Sequence, residues 1–173
     1  AERLGPARLD DLLSELAGIA ADETGRYEGV LRRTRTDAFE AVFGARIVHE
    51  DDPWRAILTA LAIKRGLARL VPDQTPDDER PIVRIGIDTG PVVVSRRADD
   101  RGVEYSAVGE TMRIADLLLQ LAEPGAILIS DATRRAVEGY VALERTTLEV
   151  GGTAAFRVTG AAPARLARPP RLM

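Results

Sequence analysis

Few side chains in this sequence do chemistry on their own. The 173 residues include no cysteine, which excludes disulfides, thiolate catalysis and cysteine-based zinc sites. His49 is the single histidine. In the acidic run His49-Glu50-Asp51-Asp52 it reads as a solvated side chain rather than a base or metal ligand. The basic residues are almost all arginine, with Lys64 the one lysine. Arg26, Arg32, Arg33 and Arg35 precede Asp37 closely and offer a positive edge for a nucleotide phosphate. Strand alternation sends Arg33 and Arg35 to one face and Arg32 to the other, so a solvated strand surface is the plainer reading. Asp37, taken alone, makes a turn. No glycine-rich loop ending in lysine occurs, which argues against a P-loop ATPase or kinase.

The elements that must position these residues follow from apolar spacing. Leu9, Leu12, Leu13, Leu16 and Ile19 recur at helical spacing over about residues 6 to 22, and Gly25 offers a stop. Residues 29–36 and 38–43 read as two strands meeting at Thr36-Asp37, a hairpin. Asp52-Pro53 starts a helix whose stripe Ile57, Ala60, Leu61 and Leu67 runs toward Leu70. Residues 82–87 and 92–94 are β-branched runs around the turn Asp88-Thr89-Gly90-Pro91, and residues 96–101 read as a charged loop. After a short strand near Tyr105, a helix over 110–121 turns Met112, Ala115, Leu118 and Leu119 inward. Arg113, Asp116, Leu117 and Gln120 fall on its other face. A strand at 126–129, a short helix at 131–137 and strands near 140–144 and 155–158 complete the pattern.

A chain of this length with 45% apolar and 29% charged residues suits one globular domain. A formal net charge of −3 gives no overall reason to expect nucleic acid, and no apolar run approaches a membrane span. With no signal sequence of the basic-then-apolar kind, a cytoplasmic setting fits. The domain is expected to cover 1–160, with 161–173 a Pro/Arg-rich linker or tail of a longer protein. Strands interleaved with helices point to the α/β (α+β) class, a ferredoxin-like βαββαβ sandwich with helices on one sheet face.

Three segments, in order, resemble the class III adenylate/guanylate cyclase catalytic domain: Thr36-Asp37-Ala38-Phe39-Glu40-Ala41-Val42-Phe43-Gly44, Val83-Arg84-Ile85-Gly86-Ile87-Asp88-Thr89-Gly90-Pro91-Val92, and Tyr105-Ser106-Ala107-Val108-Gly109-Glu110-Thr111. His49-Glu50-Asp51-Asp52, Leu121-Ala122-Glu123-Pro124-Gly125 and Gly151-Gly152 fit the same pattern, so the likeness covers nearly the whole chain. The resemblance is to bacterial members, without the family's first strand and its metal-binding aspartate.

In such enzymes two aspartates hold two metal ions that activate the ribose 3′-hydroxyl for attack on the α-phosphate. The resemblance places the second aspartate at Asp37, with Mg2+ or Mn2+ as the ion of an active form. The purine-selecting pair falls at Arg33 and Ser106, where arginine's broad fork replaces a lysine. The ribose-orienting asparagine falls at Arg113 and the transition-state arginine at Leu117. Loss of one donor aimed at developing charge costs ~10²–10³ in rate. Arg113, one turn earlier, partly compensates at most, and Leu117 fits an interface better than catalysis. The resemblance thus implies a catalytically degenerate domain that pairs as a homodimer or with another cyclase-like domain and acts as a regulatory or signalling module, with ATP or GTP as candidate ligands. Two alternatives remain open: an active adenylate cyclase with divergent residues once the first strand is present, and a nucleotide-binding sensor without chemistry.

Overall fold

The computed structural model describes residues 6–77 and 80–161; the expected tail from residue 162 onward lies outside them. The chain runs α1 (Pro6–Arg26), β1 (Val30–Arg35), β2 (Ala38–Val42), α2 (Asp52–Leu70), β3 (Ile85–Ile87), β4 (Val93–Asp99), β5 (Gly102–Val108), α3 (Glu110–Leu121), β6 (Ile127–Ile129), α4 (Asp131–Val137), β7 (Val141–Val150) and β8 (Thr153–Ala161). The expected helix over 110–121 matches α3 at both ends. Helix α1 continues past Gly25, because the closing bonds come later, from Glu28 N to Gly25 O at 3.0 Å and from Gly29 N to Thr24 O at 2.9 Å. Glu28 takes the left-handed conformation at this cap, with φ 62°, which asparagine or glycine more often supplies.

The strands divide among three sheets: the antiparallel hairpin β1-β2, the four-stranded sheet β3-β6-β8-β7, and the antiparallel ribbon β4-β5. β6 is the centre of the main sheet, parallel to β3 on one side and antiparallel to β8 on the other. Its three residues, Ile127, Leu128 and Ile129, are all at most 1% exposed. A strand buried on both faces reads as a continuous apolar run rather than an alternating one. Ile127 and Ile129 pack with Ile57 and Ala60 of α2 and Val137 of α4. Leu128 packs with Ile114 and Leu118 of α3. Helices therefore cover both faces of this sheet, not one as the sequence suggested, since β6 presents apolar side chains to each side.

Close approach sets the seat of α3. A Cβ placed on Gly86 would lie 2.3 Å from Ala115 O and 2.4 Å from Leu119 N, so only glycine lets β3 meet the helix backbone here. Gly66 plays the same part between α2 and α1, where a Cβ would come within 2.7 Å of Ile19 Cγ2. The buried stripe of α3 is Thr111, Ile114 and Leu118. That is rotated from the expected Met112, Ala115, Leu118 and Leu119, and Leu117 turns partly inward with it.

The run 96–101 is not a loop. It is the far half of the β4-β5 ribbon, paired in unbroken register from Val93↔Val108 to Asp99↔Gly102. Its charged side chains misled the reading: a ribbon solvated on both faces carries no apolar alternation for a sequence pattern to detect.

Among the buried hydroxyls, Ser130 caps α4, accepting from Thr133 N at 3.2 Å. It also donates to Asp88 Oδ1. Thr89 and Thr133 share a hydrogen bond of 2.9 Å between their hydroxyls. This polar cluster ties the turn after β3 to the start of α4.

Candidate functional site

The residues with chemical potential gather on the two hairpins and on the solvent side of α3. Asp37 sits at the tip of the β1-β2 hairpin, 66% exposed, with Oδ1 3.9 Å from Arg35 Nε. No group of three or more histidine, aspartate or glutamate side chains converges among the described residues. One exposed carboxylate does not fit Mg2+ or Mn2+ by itself, because such ions need octahedral oxygen coordination completed by further ligands.

Arg33 and Ser106 are not brought together. The Arg33 guanidinium wraps back on the turn, donating from Nε to Arg35 O at 3.2 Å and from Nη2 to Thr36 O. It also stacks 5.7 Å above the Phe39 ring. Ser106 instead shares a small cavity with Arg32, Glu40, Val30, Val42 and Tyr105, in the seam between the β1-β2 hairpin and the β4-β5 ribbon. Strand alternation is the reason: residues 30 and 32 pair across to 42 and 40 and face the seam, while 31 and 33 face away. Arg32 and Glu40 are thus the residues that the family likeness did not single out. Their signal was present, as opposite charges directly across a predicted hairpin.

Arg113 is committed to its own helix. Its Nε donates to Glu110 Oε2 at 2.8 Å and its Nη2 to Glu110 Oε1, a two-pronged fork. The hydrogen bonding from Arg113 holds the Glu110 carboxyl below its usual range, and the same contact raises Arg113. Leu117 is partly buried and packs, with Leu148, on the cluster of Ile114, Leu118 and Val150. It therefore does not share the outer face of Arg113 and Gln120, because the buried stripe is rotated toward it.

His49 departs from the solvated reading. Its side chain is 25% exposed, with Nε2 2.8 Å from Glu28 Oε2. Arg55 contacts the same oxygen at 3.0 Å and reaches Asp51 Oδ1 at 2.8 Å. Hydrogen bonding to Asp51 and Glu28, and their charges, raise Arg55 against the opposing effect of burial. The acidic loop folds back on the left-handed Glu28, so His49 ends beside the Arg55 ion pairs that join the turn after α1 to α2.

The larger hollow, about 480 Å3, lies among Asp131, Arg134, Arg145, Thr153, Ala154 and Phe156. None of the five site residues expected from the sequence lines it.

This architecture, an α+β domain with a helix-covered sheet and two projecting hairpins, is that of nucleotide cyclase domains. Residues 5–160 match the family model described as "Adenylate and Guanylate cyclase catalytic domain", and the chain belongs to that family. The guanylyl cyclase Cya2 matches with TM-score 0.78 and 25% identity, over 94% of this chain and 86% of that one. The adenylyl cyclase CyaB from P. aeruginosa shares the fold, with TM-score 0.76 and 20% identity over 92% and 86% of the two chains. An uncharacterized protein of Mycobacterium tuberculosis is 29% identical over 168 residues, 95% of this chain. Those residues make up 29% of that relative, so the chain spans under a third of its length. No helix among the described residues is long and apolar enough to cross a membrane.

Proposed function

We propose that this chain is a dimerising regulatory domain of the cyclase family, which binds nucleotide and turns it over poorly or not at all. The observation that carries this reading is the state of α3. At the position of the ribose-orienting residue, Arg113 is forked onto Glu110. At the position of the transition-state arginine, Leu117 is packed on the core. Leu117 has no polar group to stabilise charge at a nucleotide, Arg113 does so only by leaving Glu110, and one such donor alone is worth ~10²–10³ in rate.

The pairing part of the proposal draws on the β4-β5 ribbon. Val93 and Val108, cross-strand neighbours, are 65% and 57% exposed. A two-stranded ribbon is marginal when it stands alone, and exposed cross-strand valines suit burial against a second domain. A homodimer or a pairing with another cyclase-like domain supplies that cover.

The test is a cyclic-nucleotide assay by mass spectrometry on the full-length protein, with ATP or GTP and with Mg2+ or Mn2+, after sedimentation velocity has confirmed dimers. Expected is no product above background. Product that disappears in Asp37→Ala would reverse the reading and establish a divergent cyclase.

A further inference from the structure

We propose that the hollow between the start of α4 and the β7-β8 pair binds a small aromatic molecule carrying one anionic group, on the sheet face turned away from α3. Its volume is about 480 Å3, within the roughly 300–1,000 Å3 of small-molecule pockets. Phe156 and Ala154 supply apolar surface to it, and Arg134 and Arg145 supply two guanidinium groups. Arg145 and Phe156 are cross-strand partners, so their side chains rise from the same face of the sheet. The Arg134 guanidinium lies 5.2 Å from the centre of the Phe156 ring, which holds it at the wall. β7 slips register between Arg145 and Glu149, the kind of irregularity that re-aims side chains beside binding sites.

The charges around the hollow do not cancel. Arg134 Nε donates to Asp131 Oδ1 at 2.7 Å and Nη1 to Glu138 Oε1 at 3.4 Å, while Arg135 Nε lies 3.2 Å from Asp131 Oδ2. Hydrogen bonding from Arg134, with the charges of Arg134, Arg135 and Arg145, holds the Asp131 carboxyl below its ordinary range. Both Asp131 oxygens are thus occupied, and Arg145 is the surplus cation. Its neighbour Glu144 reaches Arg157 Nη1 at 3.5 Å on the opposite sheet face, and Arg145 itself is exposed, with no carboxylate partner among the described residues. An anionic group placed between Arg145 and the unused Nη2 of Arg134 gains charge-assisted hydrogen bonds. The attached ring covers Phe156 and Ala154, which fixes its orientation and buries apolar area. Arg157, next to Phe156 on β8, donates to Glu123 Oε2 at 2.8 Å just past the end of α3. The hollow therefore opens away from Arg113 and Leu117, and a ligand there leaves the α3 face free.

The experiment is calorimetric titration of the full-length protein with phenyl phosphate and with benzoate, against inorganic phosphate and uncharged benzamide. At least one of the two aromatic anions is expected to bind with a Kd on the order of 0.1–1 mM, and about tenfold more tightly than either control. Arg145→Met should weaken it about tenfold, and Arg145→Lys should restore part of the loss. Arg157→Met, on the other face of the same sheet, should change it by less than about twofold. Circular dichroism checks that each variant is folded. Should Arg145→Met not fold, Ala154→Leu, which fills the hollow and leaves both arginines in place, must abolish binding. No binding of either aromatic anion at about 5 mM overturns the inference. So does binding no tighter than that of inorganic phosphate or benzamide, since the site then lacks either its apolar floor or its cations. Affinity retained in both Arg145→Met and Ala154→Leu also overturns it, by placing the ligand elsewhere on the protein.

Discussion

The main sheet and the two hairpins obey different rules of burial. In β3-β6-β8-β7, apolar side chains are packed from both faces, Leu118 and Ile57 are fully buried, and the hydroxyls of Ser130 and Thr133 are hydrogen-bonded. In the β4-β5 ribbon most residues face solvent, in β1-β2 no residue is fully buried, and long arginines make their contacts with neighbouring carboxylates, rings or turn carbonyls. Three of the five expected site residues, Arg33, Asp37 and Ser106, lie on the hairpins. The difference teaches how such a domain can change its chemistry without losing its fold: the hairpin residues add little to the core, so substitution there is thermodynamically mild. Leu117 marks the exception, an expected site residue in α3 that packs on the core.

The widest test of this contrast pairs one substitution from each region. Leu118→Ala should destabilise the domain by about 3–4 kcal/mol, as truncation of a fully buried leucine leaves a cavity. Val103→Ala, on the exposed ribbon, should shift stability by less than about 0.5 kcal/mol. Urea denaturation of both variants decides it, and comparable losses would show that the ribbon belongs to the same packed unit.

A smaller effect sharpens the polar side of the comparison. Ser130→Ala removes the cap of α4 and the donor to Asp88, and should cost about 1–2 kcal/mol by the same measurement. A change no larger than that of a surface serine would mean the cluster around Thr133 holds without it.

The smallest expected effect concerns pH. Glu110 and Asp131 are both held below their ordinary ranges, chiefly by hydrogen bonds from Arg113 and Arg134. A carboxyl lowered in the folded state contributes stability above its unfolded value and loses it as pH falls through the folded one. Stability should therefore decline on acidification below about pH 4. The decline should be shallower in the double variant Glu110→Gln, Asp131→Asn. Both residues lie at the surface, so an unchanged slope in the variant would assign the acid sensitivity to other carboxylates.

Much of the main sheet was legible from the residues. The β-branched run ending in Ile85-Gly86-Ile87, the apolar Ile127-Leu128-Ile129 and the helix starts at Asp52 and Glu110 all follow from local pattern, because strands and helices buried in a core repeat their apolar side chains regularly. The ribbon beyond Ser95 was not legible, since pairing between two solvated strands leaves no such repeat. Nor was the seating of α3: which of its apolar residues are buried depends on where Gly86 lets the helix sit.

For the site, residue identity alone fixed several limits. Absence of cysteine, a lone histidine, a lone lysine and an arginine-rich first hairpin bound the chemistry before any contact is known, and the three ordered motifs point to the family that the comparison bears out. Tertiary structure alone decided which of these groups meet. It placed Arg32 rather than Arg33 beside Ser106, forked Arg113 onto Glu110, turned Leu117 toward the core and drew His49 to Glu28. Each outcome depends on how one element is rotated and docked against another, a geometry set by the packing of the whole chain and invisible to the spacing of residues within any single segment.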